Sequence, residues 1–177
     1  MSRHLISGYW LFVVLMLLAC SGQQQDKPVD KPADLKEPLI KANKHVVDTE
    51  DEQIDDFLAR YRWEMTRTKS GLRYMIYKSG EGRAVGQSDR VVLKYKVSFL
   101  NGDVVYTSDE DGPLDFVRGK GQAIPGVEEG AGYLRKGDKA RLIVPSYLAY
   151  GLIGDQKKIG FKATLVYDIE VIEVSDK

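Results

Sequence analysis

The chain is nearly without cysteine and histidine, and those two absences close more chemistry than any motif opens. Cys20 is the only cysteine in 177 residues, so the chain cannot form an internal disulfide. The two histidines, His4 and His45, both precede the region expected to fold. Ser-His-Asp and Cys-His catalysis therefore have no imidazole base in that region, and a zinc site lacks its usual ligands there. An excess of charge of either sign is lacking too, because 26 basic residues face 26 acidic ones and the signs alternate along the chain. That pattern gives no reason to expect nucleic acid or a polyanionic substrate. No apolar run reaches the roughly 20 residues that a membrane-spanning helix needs.

Three fragments of known motifs also fail. Gly80-x-Gly82 is followed by Val85 where a dinucleotide fingerprint requires its third glycine. Asp109-Glu110-Asp111-Gly112 resembles part of a calcium loop, but Thr107 and Arg118 occupy its first and last ligand positions. Glu128 and Glu129 are adjacent, so on a helix their carboxylates diverge and cannot act as a hydrolase pair. Covalent and metal routes are closed, and the sequence calls for no cofactor.

What is present begins with an unbroken apolar run from Tyr9 to Cys20 behind a single arginine, Arg3. Its length suits the h-region of a secretory signal over residues 1–19. It ends in Leu17-Leu18-Ala19-Cys20, which looks like a bacterial lipobox that would make Cys20 an acylated first residue. Two or more acyl chains hold a protein stably at a membrane. Residues 20–49 then read as a tether, with Asp26-Lys27-Pro28-Val29 echoed in Asp30-Lys31-Pro32-Ala33. Recurrent proline with alternating charge favours extended, unpacked chain.

Over residues 50–69 the pattern changes. Ile54, Phe57, Leu58 and Tyr61 recur at helical spacing, and Asp51, Glu52, Asp55 and Asp56 fall where the first turns of a helix favour acid. This predicts an amphipathic helix that packs on its own domain or docks a partner. Residues 70–177 read as antiparallel β-structure. Leu72, Tyr74 and Ile76 alternate, as do Leu93, Tyr95, Val97 and Phe99. Asn101-Gly102 marks a tight turn into Val104-Val105-Tyr106. Ala140, Leu142 and Val144 form a further strand, and Leu165, Tyr167, Ile169 and Val171 the last. The single helix expected within this region starts at Pro125 and runs to about Gly132.

The order of short blocks in this region resembles the FKBP-type peptidyl-prolyl isomerases. The blocks are Lys94-Tyr95-Lys96, Phe116-x-x-Gly119-Lys120, Gln122-Ala123-Ile124, Val127-Glu128-Glu129-Gly130, Tyr147-Leu148-Ala149-Tyr150-Gly151 and Ala163-Thr164-Leu165-Val166-Tyr167-Asp168. The resemblance implies an α+β fold: a curved antiparallel half-barrel wrapped over one short α-helix, preceded here by the amphipathic helix. It implies a proline pocket walled by Tyr95, Tyr106, Phe116, Ala123, Ile124, Ile159 and Tyr167, with Val127 where the family usually places a tryptophan floor. The Ile124 N–H and the Tyr150 hydroxyl would hold substrate carbonyls. Thr107 stands where the family has the aspartate that buttresses the pocket tyrosine, and Asp155-Gln156-Lys157-Lys158 replaces a more apolar loop.

The function implied is a peptidyl-prolyl isomerase that assists folding of exported proteins. It would act on proline-containing segments from a lipid anchor, outside the cytoplasm and on the periplasmic side of the outer membrane. The signal, charged tether and acidic helix further resemble FKBP lipoproteins of Bacteroidetes-type bacteria, including gliding-associated ones. Two other readings remain open: a binding or chaperone module with the same groove and little turnover, or a component of an envelope complex docked through the helix of residues 50–69.

Overall fold

The computed structural model describes residues 36–176, so the leader and Cys20 lie outside the described residues. The chain divides between Leu39 and Ile40, and all but the start of the first described helix belongs to the unit Ile40–Lys177. That helix, α1, spans Lys36–Tyr61. It begins well before Glu50, so the segment from residue 36 to 49, expected as tether, is helical, and His45 sits exposed on it. Proline concealed this start. Pro38 lies in the first turn, where its missing N–H has no intrahelical acceptor to lose. From Leu39 to Tyr61 there is neither glycine nor a second proline to stop the helix.

The longer helix changes the role of its acids. Asp51 and Asp55 lie mid-helix, away from the dipole, and both bind the guanidinium of Arg73, at 2.9 and 3.1 Å. Arg73 is only 2 % exposed, so these partners and the Gly71 carbonyl at 2.8 Å are what make its burial tolerable. One helical turn along, Ile54 and Phe57 pack on Ile143 and Val166. α1 thus folds back on its own domain.

Seven antiparallel strands form one sheet: β1 (Thr66–Arg67), β2 (Arg73–Lys78), β3 (Arg90–Phe99), β4 (Val104–Thr107), β5 (Leu114–Val117), β6 (Lys139–Val144) and β7 (Leu165–Ser175). Their order is β1-β2-β6-β7-β3-β4, with β5 also paired to β3. β4 pairs with β3 through Lys96–Ser98 and β5 pairs through Arg90–Leu93, so two short strands share one edge of β3. The sheet separates two apolar clusters. Leu93, Val97, Leu142, Leu165 and Ile169 belong to the main core, whereas Ile143 and Val166 meet α1. Alternation along β6 and β7 assigns neighbouring residues to opposite faces.

Two further helices among the described residues are short. α2 (Ser108–Asp111) is a single turn that the sequence did not announce, capped by Thr107, whose hydroxyl accepts from the Glu110 N–H. α3 (Pro125–Ala131) is the expected short helix, with proline in its first turn. Its glycines let it approach β6 closely. A Cβ at Gly126 would lie 2.4 Å from Val144 Cγ1, and one at Gly130 would lie 2.6 Å from Leu142 Cδ1.

Because Ile54 is fully buried between α1 and the sheet, Ile54→Ala should lower unfolding stability by about 2–5 kcal/mol in urea denaturation. A loss below 1 kcal/mol would mean that α1 does not pack on the sheet in solution.

Candidate functional site: an aromatic cavity over α3

A cavity of about 560 Å³ opens between the sheet, α3 and the long loop before β7. β3 supplies Tyr95 and Val97, two residues apart and hence on one face of the strand. Val97 is the register partner of Tyr167 on β7, which brings a second tyrosine beside the first. The N-cap of α3 contributes Ile124 and the helix itself Val127, the latter fully buried. Tyr106 comes from β4, and Tyr150 follows the 3-10 turn Ser146–Leu148.

The loop leading to Ile124, the N-cap of α3, is held by a carboxylate from that helix. Glu128 turns back to accept N–H bonds from Gly119 (2.7 Å), Gln122 (2.9 Å) and Ala123 (3.3 Å). The Ile124 carbonyl accepts from the N–H groups of Val127 and Glu128, at 2.9 and 3.1 Å. Its own N–H donates to no group among the described residues. The loop is pinned on both sides of one spare donor, which lies on the cavity.

The tyrosines stay protonated at neutral pH. Burial raises the Tyr150 phenol, opposed in part by a hydrogen bond with Tyr167. Burial, and then the nearby Tyr150, raises Tyr167 far more. Burial and the charge of Asp111 raise Tyr95. Tyr106 is pushed up to about 12, first by donating its hydrogen bond to Asp155 and then by desolvation. Asp155 responds in the opposite direction. Burial works to raise it, but the bonds from Tyr106 and from the N–H groups of Ile159 (2.8 Å) and Lys157 (2.9 Å) outweigh that, and its pKa falls.

Of the residues singled out in the sequence, Tyr95, Tyr106, Ala123, Ile124, Val127, Tyr150 and Tyr167 line the cavity. Phe116 and Ile159 do not. Phe116 is 1 % exposed in the main core, and Leu114, two residues earlier on the same face of β5, takes the wall position. Ile159 is buried too, with its N–H and C=O both engaged by Asp155, so Asp155 faces the cavity instead. Sequence reasoning also missed Val97, although its spacing from Tyr95 was a usable signal. Asp111 and Asp155 had no such signal. Thr107 caps α2, and that turn carries Asp111 to the cavity near Tyr95, so an acid reaches the pocket by a different route.

A sequence signature described as FKBP-type peptidyl-prolyl cis-trans isomerase matches residues 81–172, more than half of the chain. The chain belongs to the FKBP-type peptidyl-prolyl cis-trans isomerase family. The probable FKBP-type isomerase FkpA of Neisseria meningitidis serogroup B is 39% identical over 108 residues, 60% of this chain and 39% of its own length. FkpA of Escherichia coli K12 is 40% identical over 110 residues, again covering 60% of this chain and 39% of its own. The chain therefore spans about two fifths of these FKBP relatives. The crystal structure of FkpA from Escherichia coli superposes with a TM-score of 0.63 at 27% identity, covering 97% of this chain and 83% of that one.

The Tyr106–Asp155 bond predicts a pH signature. Asp155 has a folded pKa below its ordinary 3.8, so its contribution to stability is present above that value and fades as pH falls through the lower one. Tyr106 is raised from 10.0 to about 12, so its contribution is complete below 10 and fades as pH rises toward 12. The stability gap between wild type and Asp155→Asn should therefore form a plateau across neutral pH and narrow at both extremes. A gap that does not change with pH would show that the two groups are not bonded in solution.

Proposed function

We propose that this chain is a peptidyl-prolyl cis-trans isomerase acting on proline-containing segments of exported polypeptides, held at the cell envelope by a lipid anchor on Cys20. The observation that carries the reading is the unpartnered Ile124 N–H on the same aromatic cavity as the Tyr150 hydroxyl. Family membership supports it.

The chemistry suits such a cavity. Rotation about a peptide bond faces a barrier of about 18–20 kcal/mol, because resonance gives the C–N bond double-bond character. Before proline the cis and trans forms are close in energy yet exchange over tens to hundreds of seconds. Twisting the bond removes the resonance and its charge separation, so an apolar enclosure disfavours the planar amide relative to the twisted one. Donors fixed where the rotated carbonyl group lies add binding that the planar substrate lacks. No general acid, base, metal or cofactor enters. Tyr95, Tyr167, Ile124 and Val127 would enclose the pyrrolidine ring, and the Ile124 N–H and Tyr150 hydroxyl would bind the flanking carbonyls.

Export and anchoring rest on the sequence: the apolar run to Cys20 and the lipobox-like residues before it. They support a periplasmic position on the outer membrane, as in envelope FKBP lipoproteins of Bacteroidetes-type bacteria, the gliding-associated ones included. Slow proline steps in exported proteins would give such an enzyme its task.

Protein beginning at Ser21 should accelerate cis-to-trans exchange of a short Xaa-Pro peptide well above background. Tyr150→Phe should lower kcat/KM about fivefold, the worth of one neutral hydrogen bond, with stability nearly unchanged. A background rate from folded protein across several residues before proline would instead favour a non-catalytic binding module. Cys20→Ser should abolish acyl labelling in the host cell, and labelling that persists in that variant would remove the anchor.

A further inference from the structure

The loop that carries Tyr150 leaves the sheet at the end of β6 and returns at the start of β7. Both of its stems meet one side chain from outside the main core, Glu50 of α1. Glu50 is 96 residues from Ser146 and 114 from Thr164 along the chain but adjacent to both in space: its Oε1 accepts from the Ser146 N–H at 2.6 Å and from the Thr164 hydroxyl, while Oε2 accepts from the Ser146 hydroxyl at 3.0 Å. Ser146 opens the 3-10 turn, and its carbonyl in turn receives the N–H groups of Ala149 (3.0 Å) and Gly151 (2.8 Å), which flank Tyr150. Thr164 directly precedes β7, on which Tyr167 sits two residues into the strand. One carboxylate thus ties the outgoing stem, the incoming stem and the residues on both sides of Tyr150.

An acid at this position needs a reason. Glu50 is 7 % exposed, and the residues that share its buried face of α1 are Ile54 and Phe57. Taking a carboxylate out of water is costly unless its lone pairs are filled, and an apolar residue here would serve adhesion at less cost. What an apolar residue could not do is accept the Ser146 N–H, which lies buried at the head of the turn and needs an acceptor.

We propose that Glu50 is a positioning residue for the cavity, and that α1 is through it a working part of the site. This rests on the isomerase reading above. Glu50 touches no substrate. It fixes the backbone from which the Tyr150 hydroxyl is presented, and in a reaction driven only by differential binding a donor displaced by a fraction of an ångström loses its effect on the twisted state.

The test uses the chain from Ser21 onward with Glu50→Ala, Glu50→Gln, Thr164→Val and Ile54→Val. Glu50→Ala should lower kcat/KM about tenfold, mostly through kcat. Amide hydrogen exchange should quicken at Ala149 and Gly151 in that variant while the β3–β7 ladder stays protected. Glu50→Gln should recover most of the activity, because its amide oxygen in place of Oε1 still accepts from the Ser146 N–H and the Thr164 hydroxyl, and its amide nitrogen in place of Oε2 can donate to the Ser146 hydroxyl. Thr164→Val removes a single donor and should lower kcat/KM less, so it serves if Glu50→Ala does not fold. Ile54→Val loosens the same helix without touching the clamp and should leave kcat/KM unchanged. Folded Glu50→Ala or Thr164→Val with wild-type kcat/KM would overturn the proposal, as would an equal loss in Ile54→Val. A wild-type chain without turnover would overturn the isomerase reading. The exchange at Ala149 and Gly151 would then judge the clamp alone, and unchanged exchange in Glu50→Ala would overturn that too.

Discussion

The register between β3 and β7 is the constraint from which the site follows. The two strands pair from Arg90↔Ser175 to Phe99↔Leu165, with one irregularity between Val92 and Leu93. Past that irregularity the register runs unbroken from Leu93↔Val171 to Phe99↔Leu165, so Tyr95 and Val97 share a face with Tyr167, and all three border the cavity. A slip of one residue would send Tyr167 to the α1 side and put Val166 or Asp168 into the pocket wall. The main-core residues Leu93, Leu165 and Ile169 oppose such a slip, because each would have to leave a fully or almost fully buried position. Burial across the ladder thus fixes the aromatic walls more firmly than any contact among the tyrosines.

Around that rigid ladder the loops are held by acids that accept backbone N–H bonds. Glu128 gathers the N–H groups of Gly119, Gln122 and Ala123, and Asp155 those of Lys157 and Ile159. Asp138 takes Gly80 and Arg135, Asp89 takes Gly86, and Glu50 takes Ser146. A charged acceptor makes shorter and stronger bonds than a neutral one, so a few acids can order irregular chain that has no ladder of its own. This gives a physical use for acidic residues in a chain of zero net charge. They brace loops from within, and three of these five, Glu50, Asp89 and Asp138, are themselves buried.

What was legible in the sequence divides along the same line. Period-two alternation gave β2, β3, β6 and β7, and the proline-led block gave α3, because those signals are local and concern burial. The pocket roles of residues on these elements, Tyr95, Ile124, Val127 and Tyr167 among them, came from the family resemblance and not from the alternation. The start of α1 was hidden by Pro38, whose cost depends on its place within the helix and not on its presence. β1 and β5 are too short to alternate visibly, and the wall position that Leu114 occupies was assigned to Phe116 through the family resemblance. The carboxylate contacts were least legible. Asp155 meets Tyr106, and Glu50 meets Ser146, across long stretches of chain, and nothing near either acid in sequence names its partner.

The division matters for the proposed reaction. A protease places its function in a nucleophile that a motif can announce. An isomerase of this kind has no such group, and its rate depends on how well the cavity discriminates a twisted amide from a planar one. Discrimination of that sort resides in the precision with which a few donors are held, since a mobile donor adapts to both forms and favours neither. The loop that presents the Ile124 N–H is held by Glu128 through the N–H groups of Gly119, Gln122 and Ala123, and the segment bearing Tyr150 is held by Glu50 from the side. Neither acid reaches the cavity with a catalytic group, yet each governs one of the two donors on which the differential binding would depend. On the proposed reading the chemistry would be distributed into the supports, and a helix outside the half-barrel would become part of the enzyme by supplying one of them.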